Sequence, residues 1–432
     1  MDHLDDTLPK SYLSVGIDVG ADFSWMSIAL PNQTFAGKPF RILHSDQRSL
    51  EQAVSRIKEA EEGHSLGSRI FLESTSIYHY PLFRYFSDKG FDCAVINPII
   101  TKNSTNFNIR KVHNDKIDSK KIALVGLKPD LKISLVPDDT ILDIRNLSRE
   151  YYHLRDCQSG FFNKLSAELR MAFPQFLTVF PRLSAKTALK LLKDFASPEA
   201  FLDIPEEELS VLIRKTGRIP ERSAKEKCQK LREAACACKK FGHFLPSNKI
   251  RIDSFISTIE HFEEQISLIL DALQKKYDEI RDTPVGKQTD LIQSFHGAGF
   301  LSAITLIGEI GDFSAFHSPK QLYAYFGLDP AVKQSGKFEG TQTKMSKRGS
   351  SVARRALHIM AVNSIGIGRD KQPRNPVLRE YYLEKCKAKP KMKALVCVMH
   401  KVCNIVFAIL RDNEPFHIIT PEDHRKGYRT AA

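Results

Sequence analysis

Apolar and polar positions fall into three textures along the chain. Residues 12–30, YLSVGIDVGADFSWMSIAL, read as two β-strands joined by a Gly-Ala-Asp-Phe turn. A third strand is expected at Phe40–Leu43, and apolar residues at helical spacing in SLEQAVSRIKEAEE predict a helix after it. A buried strand (Arg69–Leu72), a helix (Leu82–Asp88) and a strand (Cys93–Ile96) follow. Three strands, then alternating helices and strands, is the order of an RNase H-like α/β domain, expected over residues 1–135.

The middle, residues 136–285, is helical. Ile252, Ile259, Ile266, Leu273 and Ile280 recur every seven residues, with Phe255, Phe262 and Ile269 as the accompanying series, which predicts a coiled-coil seam. Ile144, Leu147, Tyr151, Leu154, Phe161 and Leu165 form an earlier partner stripe. The two stripes can pack antiparallel within one chain or hold two copies together, and the spacing is the same for both. Residues 286–432 are expected to form a mainly α C-terminal domain. In it, SFHGAGFLSAITLIGEIGD places two apolar segments around His296-Gly297-Ala298-Gly299, resembling a helix-hairpin-helix, whose turn can present backbone N–H groups to a phosphate. An ordinary helical hairpin has the same pattern.

Composition narrows the function. Within 432 residues, 42% hydrophobic, no run reaches the roughly 18 consecutive apolar residues of a membrane span. The opening segment MDHLDDTLPK has no apolar stretch of a secretory signal. The eight cysteines are scattered without metal-ligand spacing, which suits reduced thiols and a cytoplasmic setting. A formal charge of +13 points towards a polyanionic partner.

The chemistry is carried by carboxylates. Asp18 stands in the apolar and glycine strand VGIDVG, and Glu73 ends the strand RIFLES. A carboxylate in such a strand is costly unless paired or bound to a metal. Asp115 and Asp118, in RKVHNDKIDSKKIAL, are three apart and therefore share one side of a helix. Four carboxylates from two strands and one helix can hold two Mg²⁺ ions about 4 Å apart, the arrangement of two-metal phosphoryl transfer. Oxygen-only ligands favour Mg²⁺ or Mn²⁺ over Zn²⁺. Each acid alone can equally cap a turn or face solvent.

Residues 331–355, AVKQSGKFEGTQTKMSKRGSSVARR, hold seven Lys or Arg against the single acid Glu339. Lys333, Lys337, Lys344, Lys347, Arg348, Arg354 and Arg355 are candidate phosphate contacts. Among these cations Ser335 precedes Gly336 in a turn-rich loop, a setting in which a nucleophilic serine would find its phosphoryl substrate neutralised.

The order GIDVG, FLES, RKVHNDKIDSKKIA resembles the Asp-Glu-Asp-Asp set of the insertion sequence 110 family of transposases, which includes the pilin-gene invertases. The segments GAGFLSAITLIGEIGDFSAFHSPKQLYAYFGLDPAVKQSGK, SKRGSSVARRAL and KPKMKALVCVMHKVCNIVFAILRDNEPF resemble that family's second domain. The resemblance implies a RuvC-like nuclease domain with Asp18, Glu73, Asp115 and Asp118 as metal ligands. It implies Ser335 as a nucleophile that forms a phosphoserine link to DNA. It also implies donor and target DNA as substrates, a structured bridge RNA as guide, a homodimer or homotetramer, and a nucleoid-associated life in a bacterial cytoplasm. Many relatives carry two serines before the glycine, whereas Gln334 precedes Ser335 here. Three other readings compete: a sugar-kinase or actin-like ATPase, for which the second phosphate loop is missing; a purely hydrolytic junction resolvase; and a non-enzymatic nucleic-acid-binding regulator.

Overall fold

The computed structural model describes residues 11–74, 78–98, 100–101, 114–131, 133–134, 137–330, 334–335, 338–339, 344–420 and 422–423, with the backbone alone at 134, 334–335 and 338–339. Contacts group the chain into two compact units, Met1–Pro137 and Asp138–Ala432. The first is mixed α/β and the second is mostly helical.

In the first unit, β1 (Leu13–Val19), β2 (Phe23–Ala29), β3 (Phe40–Leu43), β4 (Ser68–Glu73), β5 (Asp92–Ile96) and β6 (Ile133–Ser134) form one sheet in the order β3-β2-β1-β4-β5-β6. β1, β2 and β3 are successively antiparallel, β4 and β5 continue parallel from β1, and β6 closes the edge antiparallel. Alternation along β1 sorts its side chains onto two faces. Leu13, Val15, Ile17 and Val19 are buried with residues of α1 (Gln47–His64) and α2 (His79–Asp88), among them Ala53, Ile57, Leu82 and Phe86. Ser14, Gly16 and Asp18 face the other way, towards α3 (Asp115–Gly126).

The docking of α3 depends on side chains that are absent. A Cβ on Gly16 would lie 2.2 Å from the Ala123 amide nitrogen and 2.4 Å from the Ser119 carbonyl oxygen. One on Gly126 would lie 2.2 Å from Ser14 Oγ and 2.4 Å from the Phe71 ring. The helix backbone therefore rests directly on β1. A buried hydrogen bond of 2.8 Å between the Ser27 and Ser119 hydroxyls fixes how far it slides, and the Tyr12 hydroxyl donates to the Gly126 carbonyl at its far end (2.5 Å). At the near end the Asn114 side chain accepts from the Lys116 amide (3.0 Å), which caps the turn that carries Asp115 and Asp118.

The second unit opens with α4 (Asp139–Ala172). It is followed by α5 (Phe176–Val179), α6 (Lys186–Asp194), α7 (Pro198–Asp203), α8 (Glu206–Gly217) and α9 (Glu221–Cys238), then by α10 (Pro246–Ile280). α4 and α10 run antiparallel within the chain. Asp143 meets Lys276 (3.1 Å), Arg155 meets Glu263 (2.7 Å), and buried Glu168 meets Arg251 (2.9 Å), so one number falls as the other rises. The heptad residues Ile252, Ile259, Ile266, Leu273 and Ile280 are all buried in this single chain. Of the two arrangements the spacing allows, this chain forms the intrachain hairpin.

The rest of the unit comprises α11 (Pro284–Gln293), α12 (Phe300–Ile310), α13 (Pro319–Tyr325), the short pair β7 (Gln334–Ser335) and β8 (Phe338–Glu339), α14 (Ser351–Ile365), α15 (Pro376–Ala388) and α16 (Lys391–Asp412). α16 is long and apolar enough to cross a membrane, but its Val398, Val402, Val406 and Phe407 are buried together with Leu306, Phe326, Leu357 and Met360. It is a core helix of this unit. α4 joins the two parts: its late residues Leu165 and Leu169 belong to the cluster with Ile252 and Ile259, while Ile141 belongs to the cluster around α16. Arg149 grips buried Glu309 of α12 through two bonds of 2.7 and 2.9 Å, and Arg145 donates to the Gly308 carbonyl (2.8 Å).

Gly16→Ala tests the docking of α3. The added methyl meets helix backbone rather than a side-chain tip, so the substitution is expected to cost about 1–3 kcal/mol and lower the midpoint of thermal unfolding followed by circular dichroism. An unchanged midpoint contradicts direct contact between α3 and β1.

Candidate metal centre and nucleic-acid interface

β1 and β4 are parallel, with Ile17 opposite Leu72. Asp18 and Glu73 follow at the next step, and by alternation with Gly16 and Phe71 they lie on the α3 face. The first turn of α3 contributes Asp115 and Asp118. Glu73, Asp115 and Asp118 thus all lie within electrostatic reach of Asp18. The Asp18 carboxyl is pushed up to about 7, first by burial and then by the charges of Glu73, Asp115 and Asp118, with Lys121 opposing. A half-buried acid under the charge of three others is an electrostatic setting that a divalent cation relieves.

Two of the four hold protein partners. Asp118 accepts from Lys121 Nζ at 2.6 Å, and Glu73 accepts from the Thr101 hydroxyl. Among the described residues no three acidic, histidine or cysteine side chains stand close enough to grip one ion. The donor set fits a hard, oxygen-preferring cation in chemistry and in sign of charge. The roles of Lys121 and Thr101 are visible only in the fold. Lys121 is one of several lysines in its segment, and Thr101 carries no spacing signal relative to Glu73.

Ser335 lies in β7, with its backbone opposite Phe338 of β8. Its side chain, and Lys333 and Lys337 entirely, lie outside the described residues. The stem of this loop is closely held. Gly327, at φ +69, ends α13, and the Leu328 amide donates back to the Tyr323 carbonyl (2.9 Å). Across the stem, the Lys347 amide donates to the Gly327 carbonyl (3.0 Å) and the Ser346 amide to that of Asp329 (2.8 Å). A Cβ on Gly349 would lie 1.8 Å from the Tyr325 carbonyl oxygen, so the two sides touch backbone to backbone.

The predicted cations of this segment divide into two groups. Arg354 donates to the Phe326 carbonyl (2.8 Å) and the Gly349 carbonyl (2.7 Å), stapling both sides of the stem. Arg355 pairs with Asp156 of α4 (2.7 Å) and sits 4.7 Å from the Tyr152 ring centroid. Lys344, Lys347 and Arg348 are exposed. In the His296–Gly299 turn, Gly297 backs onto the Met360 carbonyl and the Ser364 amide of α14, and Asn363 donates to its carbonyl (3.3 Å). Gly299 caps α12 with open space beside it.

The chain is thus a mixed α/β unit with Asp18 under the charge of three other acids, followed by a mostly helical unit. Residues 15–174 match a transposase family of the Asp-Glu-Asp-Asp type of IS110, and residues 289–383 match the family described as Transposase IS116/IS110/IS902 family. The chain belongs to this family of transposases. The first match contains all four carboxylates and the second contains Ser335 and the cations after it. Membership implies the use of a divalent metal.

The chain is 31% identical to the pilin gene-inverting protein of Moraxella bovis over 32% of its own length and 41% of that protein. It is 28% identical to the transposase for insertion sequence element IS1111A of Coxiella burnetii, over 29% of its length and 33% of the relative's. A protein of insertion element IS110 of Streptomyces coelicolor is 24% identical over 58% of each chain. The aligned part thus spans less than half of the Moraxella and Coxiella relatives.

Neighbouring cations of the basic segment should behave differently. Arg354→Ala is expected to lower the unfolding midpoint, because two carbonyls of the stem lose their donor. Lys347→Ala should leave the midpoint unchanged and reduce the log–log salt slope of DNA binding by about one unit. The opposite pattern in the two variants contradicts this division.

Proposed function

We propose that this protein is a DNA transposase, a site-specific recombinase that cuts, exchanges and rejoins strands with a carboxylate metal site and a serine nucleophile. The observation that carries the reading is the placement of Asp18 at the end of β1 and Glu73 at the end of β4 on the α3 face, with Asp115 and Asp118 in the first turn of α3. The strand order, three antiparallel strands continued by parallel ones, supports an RNase H-like domain for residues 1–135. Residues 136–285 would be a helical, coiled-coil domain, and residues 286–432 the serine-bearing transposase domain with its helix-hairpin-helix-like turn.

Asp18, Glu73, Asp115 and Asp118 would hold Mg²⁺ or Mn²⁺. When bound, such ions neutralise phosphate oxygens and stabilise both the attacking and the leaving oxygen of an in-line displacement. In the step assigned to Ser335, its Oγ bonds to phosphorus, the phosphodiester P–O bond to the departing strand breaks, and the released oxygen takes up a proton while the serine proton is lost. The phosphoserine keeps the energy of the broken ester, so a strand hydroxyl can reverse the step without ATP. Lys333 and Lys337 would stabilise charge on the phosphate oxygens, with Lys344, Lys347 and Arg348 tracking the backbone beyond. A structured bridge RNA as guide, with donor and target DNA, suits the +13 charge and the family resemblance. A homodimer or homotetramer would assemble on these nucleic acids. Association with the nucleoid would follow from these partners.

Two substitutions test the proposal. Asp18→Asn should bind DNA at close to the parental affinity and abolish strand cleavage. Ser335→Ala should bind nucleic acid and lose both the covalent adduct on a denaturing gel and strand exchange. Cleavage without an adduct in the parental chain favours a hydrolytic resolvase, and recombination by the alanine variant rules out Ser335.

A further inference from the structure

Beside Asp18 the sheet carries aromatic rings and cations together, and the function proposed above makes no use of them. Asp18 of β1 stands opposite Trp25 of β2, and Trp25 stands opposite Arg41 of β3. Directly opposed residues of antiparallel strands share a face, so Asp18, Trp25 and Arg41 form a row across three strands. Phe23 lies two residues before Trp25 on that face, and Phe35 joins it as the bridge partner of Ala29. Each ring has its own cation. The Arg41 guanidinium lies 4.0 Å from the Phe23 centroid, Lys116 Nζ 4.6 Å from Trp25, and Lys120 Nζ 4.9 Å from Phe35. The three rings are half-buried, and Arg41 and Lys116 are exposed.

Packing of α3 accounts for part of this arrangement, because Lys116 and Lys120 belong to that helix. It does not account for Arg41, which comes from β3 and covers Phe23 at the outer end of the row. Alternating π-faces and cations fit a flexible polyanion with flat bases: the bases stack and the phosphates meet the charges. A duplex keeps its base faces inside the stack, so the complementary partner is a single strand. The row ends at Asp18, where the proposed metal site begins.

We propose that this face is a platform for locally single-stranded DNA entering the acid site. Trp25 stacks on a base one strand away from Asp18, Lys116 moves from the indole to the adjoining phosphate, and Arg41 takes a phosphate further out. The inference deepens the function proposed above and rests on it for the location of the chemistry. It adds that the strand is opened, not held as a duplex, where it meets the carboxylates.

Trp25 is the chain's single tryptophan, so the indole emission of the intact protein reports this position alone. The full chain is titrated with a short oligodeoxythymidylate in EDTA, where no cleavage occurs, and with an abasic strand of equal length and charge. Quenching is expected with the first and not with the second. By fluorescence anisotropy of labelled strand, Trp25→Leu should weaken binding roughly tenfold, with most of the loss restored in Trp25→Phe. Asp18→Asn should keep the quench, so failure of the metal assignment, read by cleavage, leaves this result independent. Equal quenching by the abasic strand, or parental affinity in Trp25→Leu, overturns the proposal.

Discussion

The candidate site depends on how closely one helix can lie on one strand. Helices ordinarily stand off a sheet by the thickness of their side chains, but Gly16 and Gly126 remove that layer where α3 crosses β1. The first turn of α3 is thereby held at the level of Asp18, with Asn114 capping it and the Ser27–Ser119 bond setting its register. Without that approach, the i, i+3 pair Asp115 and Asp118 would be an acidic stripe on a solvent-facing turn. With it, their charge adds to burial and Glu73 in raising the Asp18 carboxyl.

The opposite face of the same sheet shows what this arrangement costs. There the odd-numbered residues of β1 build an ordinary apolar core with α1 and α2. On the α3 face the corresponding positions are Ser14, Gly16 and Asp18, which contribute little burial. The apolar packing of this face lies further along the sheet, where Phe71 of β4 and Ala94 and Ile96 of β5 are buried with Ile122 and Val125 of α3. In the second unit the long helix α4 plays the joining role, passing from the hairpin core to the core around α16 and fixed there by the Arg149–Glu309 pair.

Much of this was legible in the residues. The strands and first helices follow from alternation and spacing, and Asp18 and Glu73 stand out because carboxylates are costly in apolar strands. The hairpin of α4 and α10 was not legible as such, since a heptad seam has the same spacing whether it closes within a chain or between chains. Nor was the division of the basic segment. Arg354 and Lys347 look alike in sequence, yet one lies in α14 beneath the stem carbonyls and the other in an exposed turn at φ +55. Trp25 is silent in sequence for a similar reason: only the strand register places it opposite Asp18.

The central claim is that carboxylates from β1, β4 and α3 form one divalent-cation site. Electron paramagnetic resonance of Mn²⁺ added to the full chain tests it most directly, because it reads the ion and not the reaction. A bound Mn²⁺ signal is expected in the parental chain and is strongly weakened in Asp18→Asn and, separately, in Asp118→Asn. Binding of equal strength and stoichiometry in both variants would contradict it.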